Sequence, residues 1–231
     1  MYKRPGSARA IASLSATSLA VLMLAPIAMA SANGESPAVQ AEVTSLAADP
    51  NLDGGAAPVV ETLHASLIEI MKSADELGYR GRAEALEPIL AASFDLDFMA
   101  EKSIGRSWKA LSEEDQLRWL ATFQRVTCAN YAGRFQGYSG QAFETGETVA
   151  GSHDTMIVHT TLLNPDGDDV ELNYRLMKTE RGWRIVDVYL DGTVSELALR
   201  RAEYSAVLKR DGFQKLVEDV DRRVAELASV N

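Results

Sequence analysis

Cysteine is almost missing from this chain: Cys128 is the single one in 231 residues, so no intramolecular disulfide can form and stability must come from packing. Positive charge is also short. Lys and Arg number 23 against 33 Asp and Glu, a formal net charge of −10. Three of those cations, Lys3, Arg4 and Arg9, fall in the first thirty residues, which hold no acid, so the remainder carries −13. Such a balance argues against nucleic acid as a partner and against permanent residence on an anionic membrane, and it favours solubility.

Signatures of catalysis and cofactor binding are missing as well. No Gly-x-Gly-x-x-Gly, phosphate-binding loop or His-Glu-x-x-His occurs. Asn164, Asp166 and Asp168 alternate like the first ligands of a calcium loop, but Asp169 stands where the loop needs glycine and Arg175 where it needs a bidentate acid. Gly137-Tyr-Ser-Gly-Gln141 resembles a nucleophile elbow around Ser139, yet its fifth position is Gln and a helical pattern precedes it. His64, His153 and His159 are scattered without spaced carboxylates. The expectation is a protein with no metal, no cofactor and no catalytic residue.

What the chain does have begins with a targeting pattern. The basic start is followed by an uncharged segment from Ala10 to Ala25, centred on Leu19 to Leu24, and Ala28-Met29-Ala30 supplies a small-x-small cleavage signal. Residues 1–30 therefore read as a signal peptide, which places the mature chain in the periplasm; Pro26 and the cleavage site argue against an uncleaved anchor. Residues 31–58, rich in Ala, Ser, Gly and Pro without a period, read as a flexible leader.

From Val59 to Ala228 the pattern is that of one folded domain. Leu63, Leu67, Ile70, Ala74 and Leu77 recur at helical spacing up to Gly78, and Arg82 to Ser93 forms a second helical segment that Pro88 should bend. Asp97 suits the cap of a short helix stopping near Gly105. Ser112 with Asp115 opens the clearest helix, predicted to run to about Gln136. After Gly140 the period changes to two, giving four predicted strands: Ala142–Val149, Thr155–Leu163, Val170–Lys178 and Trp183–Leu190. Short connections, including the turn Asn164-Pro-Asp-Gly167, imply an antiparallel meander. Helices return at Ser195–Arg210 and Phe213–Ala228. The fold class is α+β, a four-stranded antiparallel sheet wrapped by helices.

The last predicted strand carries the functional argument. Trp183, Ile185 and Tyr189 fall on one side with Asp187, and Val186, Val188 and Leu190 on the other, so both faces are largely apolar and the strand should be covered twice. The long helix presents Phe123, Tyr131, Phe135 and Tyr138, and the sheet presents Tyr174, Leu176, Ile185, Val186 and Val188. Individually these are core residues; together they can line an apolar cavity for a long ligand. Burying a methylene is worth roughly 0.8 kcal/mol, so a sixteen-carbon tail would cost on the order of 12 kcal/mol to carry bare through water. Arg134, Arg175 or Arg184 would meet a headgroup. Cys128, on the helical stripe, reads as a small core residue. Asp187 needs a partner, for which Arg175 is the candidate; the sharper reading makes Asp187 the general base of a cone-fold enzyme acting on a small apolar substrate.

Several motifs in order resemble a known family. Phe94-Asp-Leu-Asp-Phe-Met-Ala100, Gly105-Arg-Ser-Trp108, Phe123 through Tyr131-Ala132, Leu172-Asn-Tyr-Arg-Leu176 and Gly182-Trp-Arg-Ile-Val-Asp-Val188 look like the toluene-tolerance (MlaC) family of periplasmic phospholipid-binding proteins. Tyr189 to Ala198, followed by Arg200-Arg-Ala-Glu-Tyr-Ser205, is more similar to the branch associated with hopanoid biosynthesis (HpnM). The resemblance implies a non-enzymatic carrier that moves phospholipid or hopanoid between membranes. It implies inner- and outer-membrane lipid transport complexes of an ABC-type system as partners. The rivals are the cone-fold enzyme and a non-catalytic module that docks a membrane transporter.

Overall fold

The structure, a computed structural model, describes residues 55–230. The expected signal peptide, and the expected leader up to residue 54, lie outside the described residues. Helix α1 (Ala57–Lys72) starts with Pro58 in its first turn, where the missing N–H costs nothing, and buries Val59, Val60, Leu63, Leu67 and Ile70. It stops at Lys72, earlier than predicted. Helix α2 (Ala74–Ser93) is interrupted at Gly78, whose φ of 59° departs from the helix, and not at Pro88. The break thus sits at the residue able to adopt a left-handed φ.

Helix α3 (Leu96–Ile104) is capped by Asp95, which accepts from the Phe98 N–H at 3.1 Å, two residues before the predicted cap. A 3-10 segment, Gly105–Ala110, leads into α4 (Glu113–Arg134). There Ser112 caps as predicted, accepting from the Asp115 N–H at 3.2 Å, with Glu113, Glu114 and Asp115 at the positive end of the dipole. Trp119 is fully buried and donates its indole N–H to the Ala100 carbonyl at 2.9 Å, tying α4 to α3.

Strands β1 (Ala142–Ala150), β2 (Thr155–Leu163), β3 (Val170–Thr179) and β4 (Gly182–Leu190) form the predicted meander within a residue at each end. The sheet has five strands and not four. Asp191 and Gly192 both adopt positive φ, and the turn returns the chain as β5 (Val194–Ser195), paired with Tyr189 and Leu190. Two residues are too few to show a period. Helix α5 (Glu196–Val230) then runs to the end of the described residues, broken at Gly212 where the sequence predicted.

A bulge between Arg175 and Leu176 on β3 and their partners on β4 changes the expected facing of β4. Tyr174 pairs with Val188, while Leu176 pairs with Ile185, so Ile185 and Val188 share the inner face that an unbroken alternation would split. The short β5 leaves the Ile185 edge open, and Phe94 occupies it through a parallel bridge, with the Asp95 N–H donating to the Ile185 carbonyl at 2.9 Å. The helical layer is stitched to the sheet at the bulge.

Candidate functional site

The predicted apolar residues are mostly brought to one place. Phe123, Tyr131 and Phe135 on α4 and Tyr174, Leu176, Ile185 and Val188 on the sheet all belong to one buried core cluster. Val186, the extra residue of the bulge, is buried but outside that cluster. Tyr138 lies beyond the end of α4 and is 43% exposed, its ring beneath the Lys72 ammonium at 5.7 Å. The stripe ends where the helix does.

Aromatic rings run through the interface. Phe94 meets Tyr131 at 5.8 Å, Tyr131 meets Phe135 at 5.6 Å, and Phe135 meets Phe143 of β1 at 6.4 Å. Phe143 stacks on His64 at 3.8 Å, and the His64 Nε2 is 3.0 Å from the Tyr174 hydroxyl. Burial lowers the His64 pKa to about 3, so the ring is neutral. Its Nδ1 is buried without a partner among the described residues. Burial also raises the Tyr174 and Tyr131 hydroxyls well above the ordinary phenol range.

A second group surrounds a void where α4, β4 and the start of α5 meet. Its walls are Phe94, Met99, Phe123, Thr127, Asn130, Tyr131, Val188, Glu196, Leu197 and Arg200. The void holds only about 20 Å³. Ligand pockets run from roughly 300 Å³ upward. The interior seam is therefore closed here, and the expected cavity is not open. Side chains of the two layers meet along the seam, and an unfilled apolar gap would forfeit their dispersion contacts.

One end of this void is charged. Glu196 receives hydrogen bonds from Arg200 at 2.8 Å and Arg134 at 3.2 Å, and the Tyr204 hydroxyl lies 3.3 Å from Arg200. Burial alone would push the Glu196 carboxyl up, but Arg200 and Arg134 together hold it below its ordinary value. Thr127 and Asn130 turn their donors onto their own helix, to the Phe123 carbonyl at 2.8 Å and the Val126 carbonyl at 2.7 Å. Sequence reasoning missed His64, Phe143, Glu196 and Arg200 as members of this interface. Glu196 and Arg200 stand four apart at a helix start, which is a visible i,i+4 pair, but nothing local indicated that it would be buried.

The remaining expected residues sit elsewhere. Arg175 stands across from Asp187 in the β3–β4 register, on the sheet face opposite the Tyr174 and Leu176 side chains, with its guanidinium over the Tyr189 ring at 5.5 Å. Arg184 is buried and donates to the Trp183 carbonyl at 2.9 Å. Asp187 accepts from the Ser195 hydroxyl at 2.6 Å, the Val188 N–H at 2.8 Å and the Leu197 N–H at 3.1 Å. Burial raises its pKa, and these donors with Arg175 oppose the rise. Both oxygens are engaged in fixing the start of α5, an anchoring role. Cys128 is buried and its thiol is pushed up to about 12 by burial, as for an inert core residue. Among the described residues no group of three or more His, Cys, Asp or Glu is placed to hold a metal, and no helix is long and apolar enough to cross a membrane.

The family model described as MlaC protein matches residues 61–222, spanning every element from α1 into α5. The chain belongs to the MlaC family. A solved MlaC-like fold is found in the phospholipid-binding protein from Ralstonia solanacearum, whose structure is in complex with a phospholipid. The two are 23% identical and superpose with a TM-score of 0.67 over 76% of this chain and 99% of that one. No curated protein matches this MlaC-family chain in sequence.

Proposed function

We propose that this MlaC-family chain is a non-enzymatic phospholipid carrier whose acyl tails lie between α4 and the inner faces of β3 and β4. The observation that carries this reading is the buried apolar wall of Phe123, Tyr131, Tyr174, Leu176, Ile185 and Val188, in the same fold as a protein solved with a phospholipid bound. Loading exchanges side-chain contacts across the seam for contacts with the tail, so the apolar area hidden from water is conserved while the layers move apart. Opening begins at the α4–β4–α5 void, the small gap in the seam whose walls include Thr127, Asn130, Glu196 and Arg200. Arg134 and Arg200, both bonded to Glu196, would meet a headgroup phosphate in this reading; a guanidinium fork matches such an oxyanion. Arg175, on the other side of the sheet, would serve a headgroup only from outside.

Export to the periplasm fits the N-terminal signal pattern, and transfer between inner- and outer-membrane complexes of an ABC-type system fits the family. The similarity of residues 189–205 to the hopanoid-associated branch favours testing a rigid triterpenoid beside a two-tailed phospholipid as cargo. Organic extraction of the purified protein followed by mass spectrometry tests the reading. Near-stoichiometric phospholipid or hopanoid is expected, and repeated lipid-free preparations that also take up no lipid from vesicles would overturn it.

A further inference from the structure

A groove beside the 3-10 segment, lined by other residues than the seam void, is basic. It holds about 340 Å³ and is lined by Glu101, Lys102, Gly105, Arg106, Lys109 and Arg201. Four cations against one acid is the reverse of a chain whose formal charge is −10. Glu101 is already paired with Lys102 at 2.8 Å. Among the described residues no acid pairs with Arg106, Lys109 or Arg201, and all three are exposed.

The backbone assembles this cluster. Gly105–Ala110 is a 3-10 segment. Three residues per turn set Arg106 and Lys109 above one another on one face. Gly105 joins it to α3 with φ 56°, and a Cβ there would stand 2.8 Å from Arg201 Nη2. The positive φ favours glycine at this junction, and with no Cβ there the guanidinium of Arg201, arriving from α5, lies against it and joins Arg106 and Lys109 in lining the groove.

We propose that this groove seats the phosphate groups of anionic phospholipid at a membrane surface, so that the carrier docks transiently before transferring lipid. It rests on the carrier reading only in taking phospholipid as the source of the phosphate. The net negative charge does not prevent docking, because charges more than about 8 Å from the contact are screened at physiological salt. It does make the attachment short-lived and confines it to this face.

The test is flotation of the full mature chain with vesicles of phosphatidylcholine alone or with 30% phosphatidylglycerol, at low salt. Binding only to the phosphatidylglycerol vesicles is expected, weakened roughly 100-fold in the triple variant Arg106→Gln, Lys109→Gln, Arg201→Gln. Circular dichroism checks that the variant is folded, and Arg201→Gln alone, with a roughly fivefold loss, covers a triple variant that fails to fold. Equal binding to both vesicles, no binding, or unchanged binding by the folded variants would overturn the proposal. So would complete displacement by millimolar inorganic phosphate at matched ionic strength, which would assign the groove to a soluble anion. Lipid-loaded protein that ignores vesicles removes the groove and leaves the carrier; lipid-free protein that still floats removes the carrier and leaves the groove.

Discussion

Where α1 lies against the sheet, Leu63 and Leu67 are fully buried and His64 is clamped between the Phe143 ring and the Tyr174 hydroxyl. Where α4, β4 and α5 meet, a small void remains and Thr127, Asn130, Glu196 and Arg200 replace aliphatic residues around it. Both regions belong to the same helix–sheet interface, and both are closed. The first is closed by shape, with rings and branched side chains that have no alternative partners. The second is closed partly by charge, and charged groups can exchange a protein partner for water or a phosphate at modest cost. On the proposed carrier reading, a tail would enter at the second region while the first serves as the hinge.

Acid should separate them most strongly. The His64 pKa falls from 6.5 in the unfolded chain to about 3 in the fold, so its contribution is complete above pH 6.5 and is lost as pH drops toward 3. That loss is roughly 4 kcal/mol, read from urea titrations across pH, and His64→Gln should flatten most of it. Leu176→Ala, in the tight inner wall, should lower the unfolding free energy by about 3 kcal/mol. Glu196→Gln leaves Arg200 poorly paired and should cost about 2 kcal/mol while changing lipid content more than Leu176→Ala does. Thr127→Val at the void should move stability by less than about 1 kcal/mol, measured by the same denaturant midpoint. A Thr127→Val loss as large as that of Leu176→Ala would erase the distinction between the regions.

Much of the sheet was legible because period two is a strong signal: β2 matches its predicted ends, and β1, β3 and β4 differ by a residue. The Ser112 cap and the Gly212 break were visible for the same reason, a residue type with one favoured local geometry. The bulge that brings Ile185 and Val188 onto one face was not, since it depends on pairing with β3 and not on β4 alone. Likewise the sequence could place Asp187 among apolar neighbours but not show that Ser195 and the start of α5 fold back to bond it. Of the candidate lining, the α4 and β3 residues were readable from their stripes, whereas the charged end of the void joins Arg134 to residues 62 and more positions away. Such long-range neighbours leave no local mark.

Hydrogen–deuterium exchange on lipid-loaded and delipidated protein reads the central idea directly. If tails enter by parting the seam, the large protection changes fall in α4 and the first turns of α5, with α1 and its contacts to β1 unchanged. Equal changes at the His64–Phe143–Tyr174 end, or none at the seam, would contradict the account.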